Sequence, residues 1–248
     1  MPAKCPLFTR VLLFACALTA FFIHIVACAP LIPEKPDRKR EYNANEYVEE
    51  QEYYDKKYAG EPEPPDTVSK LVSLLETCVG GQYVIGGQGD RITADLLSVA
   101  QKEYPGAFTK ERIEYLSRIA RSGETEGWDF PRHYAWDCSG LWWWGCNKLG
   151  LYPKNTDCTA YITYHTYCTP ISKDDLRPGD LVFYKNKEGR IVHMGIIGKK
   201  GYVFEAVSVF GGVVKKRTVD QRIYYDIANG GMFTAPEWNV FGRPKIFR

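Results

Sequence analysis

The sequence has little of several features that would point to other functions. Its formal net charge is only +2, and no stripe of Arg and Lys interleaved with aromatics appears, so a nucleic-acid partner is set aside. No C-x-x-C pair is present and no Cys/His cluster has zinc-ligand spacing, so a metal site is not expected. The glycine-rich stretch from Gly80 to Gly89 contains neither G-x-x-x-x-G-K-[ST] nor G-x-G-x-x-G, which discards phosphate binding. Internal repeats and long single-sign charge runs are missing too. What remains is an ordinary globular composition, 45% hydrophobic and 25% charged, with an aromatic share of 14% that needs somewhere to pack.

The start of the chain predicts export. Met1 to Arg10 carries Lys4 and Arg10 and no acid, and Val11 to Val26 is almost wholly apolar. A basic region, an apolar region and small residues at the boundary make a secretory signal, here over residues 1–30. Its apolar stretch is short for a membrane-spanning helix. Ile25-Val26-Ala27-Cys28 resembles a bacterial lipobox, in which Cys28 would be acylated and hold the mature chain on a membrane.

Residues 31–65 follow with ten acidic and six basic residues, five prolines and few aliphatics. Such a segment cannot bury a core and reads as a solvated tether. The folded domain is expected over 66–248. Val68, Leu71, Val72, Leu74 and Leu75 have helical spacing. Ile92 to Tyr104, Lys110 to Arg121 and Cys138 to Leu149 read as further helices. After Arg177-Pro178-Gly179-Asp180 the pattern changes to short β-branched or aromatic runs, Leu181–Tyr184, Ile191–Ile197, Tyr202–Val207 and Val213–Arg217. Helices first and an antiparallel sheet afterwards predict an α+β fold. Cys78, Cys146, Cys158 and Cys168 either form two disulfides or stay reduced and buried, and Cys138 is the odd thiol.

The densest chemical signal is Asp137-Cys138-Ser139-Gly140-Leu141, where a loop gives way to a helix. Unpaired N–H groups and the positive dipole end at a helix start stabilise a thiolate. The same N–H groups can hold a tetrahedral oxyanion. Gly140 would keep the first turn slim for an approaching substrate. The second signal is the strand Val192-His193-Met194-Gly195. A thiolate nucleophile needs an imidazole to take and return its proton, and a third group to fix the tautomer. Glu205, in the next strand, falls nearly opposite His193 and on the same side of the sheet. Against His193, His133 and His165 lie in loop or tyrosine-rich surroundings. Trp142, Trp143 and Trp144 suit core or groove packing better than sugar platforms.

Taken in order, Gly86-Gly87, Asp137-Cys138-Ser139-Gly140-Leu141, Pro178-Gly179-Asp180-Leu181-Val182-Phe183 and His193-Met194-Gly195-Ile196 resemble the NlpC/P60 family of bacterial cell-wall peptidases. The resemblance spans roughly residues 67–216. It implies a papain-like α+β fold, no cofactor, and peptidoglycan stem peptides as substrate. It also implies catalysis by Cys138, His193 and Glu205, with Tyr83 close to the cysteine and Asp137 and Ser139 binding a free N-terminal amine of the stem. The alternative for Asp137 is that it caps the helix that follows. Two departures stand out: the family's third residue is most often His where this chain has Glu205, and an insert, residues 88–136, separates Gly-Gly from Asp-Cys. The insert is expected to fold as two helices and an aromatic loop (Trp128 to Trp136), either walling the cleft or lying outside it. Two further readings stay open: an N-acetylmuramoyl amidase or acyltransferase on the same fold, and a catalytically silent wall-binding module.

Overall fold

The computed structural model of the chain describes residues 64–207, 212–216, 223–225, 232–234 and 236–247, together with Lys56 and Gly60. The expected leader with Cys28, and nearly all of the tether, lie outside the described residues.

Helix α1 (Asp66–Thr77) buries Val68, Leu71, Val72 and Leu75, the face that its periodicity marks. Strands β1 (Gln82–Tyr83) and β2 (Gln88–Arg91) follow. Helices α2 (Ala94–Glu103) and α3 (Lys110–Glu126) open on Thr93 and Thr109, whose hydroxyls accept from the N–H groups of Leu96 and Arg112. Each such cap stabilises its helix by about 1 kcal/mol. The Thr93 cap places the start of α2 after Ile92, which is fully buried. Helix α3 runs on past Arg121 to Glu126 and stops at Gly127, a residue with φ of 103°.

The aromatic stretch after α3 is more than a loop. It ends in β3 (Tyr134–Trp136), which pairs parallel with β1 and antiparallel with β2. The insert therefore contributes two strands as well as two helices. It also has its own core, in which Ile92, Leu97, Ala100, Leu116, Ile119 and Ala120 pack around Val84 and Ala135.

Helix α4 (Cys138–Lys148) is the centre of the main core. Eight of its residues from Cys138 to Cys146 are buried, so it is apolar nearly all round, as a helix enclosed by other elements must be. One side meets α1, where a side chain at Gly145 would run into Leu71. Another side covers the sheet through Met194, Ile196, Phe204 and Ala206. Trp142 and Trp143 are fully buried, and Trp143 packs edge-on against Tyr152 and Tyr167. Much of the aromatic excess is thus core. The single turn α5 (Ala160–Ile162) then passes into a wider π-type turn, Thr163–Tyr167.

The main sheet comprises β4 (Cys168–Pro170), β5 (Leu181–Lys185), β6 (Ile191–Ile197), β7 (Val203–Val207) and β8 (Gly212–Lys216). Beyond β8, β9 (Ile223–Tyr225) and β10 (Met232–Thr234) form a separate antiparallel pair. Strand β11 (Val240–Pro244) returns to the main sheet, giving the order β4-β11-β5-β6-β7-β8 with every described pairing antiparallel. Asp180 explains how that return is fixed. Its carboxylate accepts the N–H of Arg177 at 2.9 Å and takes two bonds from the Arg243 guanidinium, both at 2.9 Å. The Pro-Gly-Asp turn before β5 is thereby clamped to β11. The domain is a mixed one of helices packed against sheets. All five described cysteines are free thiols, so the reduced alternative is the one realised.

Candidate active site

Cys138 is the first residue of α4 and is 1% exposed. Its helix is capped by Asp137, whose Oδ1 accepts the N–H of Gly140 at 2.6 Å and the Ser139 hydroxyl at 3.1 Å. The other oxygen, Oδ2, accepts the N–H of Gly86 at 2.8 Å. One carboxylate therefore joins the helix start to the Gly-Gly loop. The fit is close, because a side chain at Gly140 would collide with the Gly87 carbonyl. That contact, rather than clearance for a substrate, is what requires glycine at 140. Burial pushes the Asp137 carboxyl up to about 7, helped by Cys138 and Asp157 and opposed by the Gly140 and Gly86 N–H groups.

His193 sits in the middle of β6 and Glu205 in the middle of β7, both buried. His193 Nε2 lies 2.8 Å from Glu205 Oε2. The strands pair Ile196 with Phe204 and Ile197 with Val203. Continued, that register sets Glu205 across from Gly195, so it reaches His193 on the diagonal and not from the opposite position. Diagonal neighbours are within reach of side chains this long. The imidazole also hydrogen-bonds the Cys138 thiol. With Nε2 taken by Glu205, Nδ1 is the nitrogen left for sulfur. Burial alone would pull the imidazole pKa down. The bonds to Cys138 and Glu205 outweigh it and raise the value to about 9.

The other expected site residues fall nearby. Tyr83 is buried in β1, in the same cluster as Cys138, and its carbonyl accepts from Arg112 at 3.1 Å. Ser139 is buried beside Asp137. Asp137 and Ser139 also line a cavity of about 200 Å³ that includes Ile85 and Gly86, with Leu96, Val99, Ala100 and Glu103 of α2. The insert thus walls a cavity next to the cysteine. Glu103 and Asp157 add two carboxylates to that cavity. Neither stands out in the sequence, since each sits in an ordinary polar stretch and only the fold brings it to the cavity. A second unforeseen neighbour is Trp238, whose ring stacks on His193.

The rival histidines are occupied elsewhere. His133 accepts the N–H of Asp129 at Nδ1 and meets the Ser122 hydroxyl at Nε2, both within the insert. His165 packs against Tyr161 and Tyr164.

A thiol at a helix start, bonded to a buried imidazole that is backed by a carboxylate, is an arrangement able to perform cysteine-hydrolase chemistry. Residues 123–230 match the sequence model of the NlpC/P60 family. The chain is 31% identical over 111 residues to Probable endopeptidase Cgl2188 of Corynebacterium glutamicum, across 44% of this chain and 48% of that protein. It is likewise 31% identical over 106 residues to a probable endopeptidase of Corynebacterium glutamicum strain R, across 42% of this chain and 46% of the other. The chain therefore spans about half the length of the curated relatives that it matches.

Proposed function

We propose that the protein is a cysteine endopeptidase of papain-like fold that hydrolyses amide bonds in peptidoglycan stem peptides. The observation that carries this reading is the buried His193, bonded to Cys138 on one side and to Glu205 at 2.8 Å on the other. An imidazole held at a raised pKa draws the proton from the thiol and favours a thiolate–imidazolium pair. The thiolate attacks the amide carbonyl, forming a tetrahedral oxyanion. Gly140 N–H is engaged by Asp137, so the N–H groups of Cys138 and Ser139 are the donors assigned to the oxyanion. His193 then protonates the leaving amine, and a thioester remains on Cys138. Water, deprotonated by His193, hydrolyses the thioester and restores the thiol. Glu205 keeps Nε2 protonated and stabilises the imidazolium.

The substrate class rests on the family and on the relatives' description as probable endopeptidases. The carboxyl groups of Glu103, Asp137 and Asp157 around the cavity favour a stem whose terminal amine is free, and the cut proposed with it falls after D-Glu. In this reading residues 1–30 direct export, Cys28 carries the lipid anchor, 31–65 tether the domain and 66–248 work at the cell wall. The deciding experiment digests purified peptidoglycan with the protein and weighs the fragments. Cuts within the stem support the reading. A freed sugar–peptide linkage would make the enzyme an amidase, and no release at all would favour a silent binding module.

A further inference from the structure

Trp238 lies beyond the segment that matches the family model, in the run that leads into β11. Its indole is 5% exposed and stacks on the His193 imidazole with ring centroids 5.5 Å apart and planes 6° from parallel. Three features hold it there. It packs with Val182, Ile197 and Val203 in a small core. Gly195 leaves the space it needs, because a Cβ at 195 would meet Val203 at 2.7 Å and Trp238 at 3.2 Å. Asn239 then pins the backbone: its N–H donates to the Phe183 carbonyl at 3.1 Å, while its amide exchanges bonds of 2.7 and 2.8 Å with the backbone of Lys185.

From this geometry we infer that Trp238 is a positioning residue for His193, setting the plane of the ring and stabilising its protonated form. The inference rests on the Cys138–His193 reading given above. A flat ring against the imidazole limits its rotation, so Nε2 stays on Glu205 and Nδ1 on Cys138. The negative face of an indole also attracts a cation and does little for a neutral ring. The titratable groups around His193 are Cys138 from α4, Glu205 from β7 and Tyr184, its ladder partner on β5; Glu237 precedes Trp238 but is exposed.

The test uses the full chain with Trp238→Leu, which keeps apolar bulk, and Trp238→Phe, which keeps a ring of weaker quadrupole. Alkylation of Cys138 by iodoacetamide, followed by mass mapping, reads the acid limb at which the thiolate forms. Peptide release from peptidoglycan reads the alkaline limb. In Trp238→Leu the acid limb should move up and the alkaline limb down, each by about half a pH unit, with release slowed about tenfold. Trp238→Phe should fall between leucine and wild type. Unmoved limbs in both variants, with only a lower melting temperature, overturn the inference and leave Trp238 a packing residue. If the leucine variant does not fold, the phenylalanine variant decides on the same criterion. The two readings fail separately. Wild type that releases no peptide sinks the peptidase reading, while the alkylation limb still tests the stack.

Discussion

Glu205 reaches His193 from the neighbouring strand along a diagonal of the sheet, Oε2 to Nε2 at 2.8 Å, with both side chains buried. Its carboxylate therefore lies against the imidazole. Glu205→Gln keeps an acceptor for Nε2–H but removes the charge that stabilises the imidazolium. Activity should fall by about 10²-fold, less than in His193→Ala, where the general base is lost outright. Wild-type rates in Glu205→Ala would show that another group orients His193.

Cys138→Ala should abolish hydrolysis, by about 10⁶-fold on the scale of other nucleophile deletions, and leave the fold intact. Cys146 is equally buried in α4 but its thiol is held protonated by that burial. Cys146→Ala should therefore stay active while losing some stability to the small cavity it leaves. Residual turnover near wild type in Cys138→Ala is the outcome that the mechanism cannot survive.

Stability should depend on pH through His193. Its pKa is about 9 in the fold against an ordinary 6.5, so the folded state binds this proton more tightly than the unfolded chain. That contribution is complete below 6.5 and disappears as the pH rises through about 9. In wild type the thiolate of Cys138 offsets this, since the imidazolium proton comes from the thiol and no net proton is taken up; in Cys138→Ser the melting temperature should fall across the window, and less steeply when Glu205→Gln is added. The raised Asp137, at about 7 against 3.8, adds a loss of the same sign at lower pH. A melting temperature in Cys138→Ser that is flat or rising from 6.5 to 9 would count against the buried imidazolium.

Asp137 already accepts three hydrogen bonds, to Gly86, Ser139 and Gly140. Any substrate amine must therefore share it. Wild type should cut a free-amine stem peptide faster than its N-acetylated twin, and Asp137→Asn should narrow the gap. The same variant should lower the melting temperature, since an amide cannot cap Gly140 and also accept from both Ser139 and Gly86. Equal cutting of both peptides by wild type would make Asp137 structural only.

If Cys28 carries lipid, the mature protein should sediment with membranes and Cys28→Ala should release it. Each buried CH₂ contributes about 0.8 kcal/mol, so a multiply acylated terminus holds firmly. Soluble protein with an unmodified N-terminus would refute the anchor.

Local periodicity was enough to locate most elements. The apolar spacing of α1, the unbroken burial of β6 and the Asp-Cys helix start are properties of short stretches, and physics acts on them over a turn or a strand. Strand β11 was not legible, because Val-Phe-Gly-Arg-Pro neither alternates nor favours extension. It becomes a strand by pairing with β4 and β5 and by the Arg243–Asp180 clamp. Strand β3 is similar, a three-residue segment that only β1 and β2 make extended.

The candidate site divides along the same line. Residue type and spacing single out Cys138, His193 and Glu205 for the proposed roles, since a nucleophile, a base and an orienting acid are chemically distinct and each has its own local context. Their surroundings depend on the packing of distant segments. Gly140 is glycine because the Gly87 carbonyl lies against it, Asp137 is shared with Gly86 across 51 residues, and Glu103 of the insert enters the cavity beside Ser139. Trp238 reaches His193 only because β11 returns beside β5. No sequence window contains such pairs, and the free energy that selects them, chiefly apolar burial and hydrogen bonds satisfied at a distance, exists only once the chain has closed on itself.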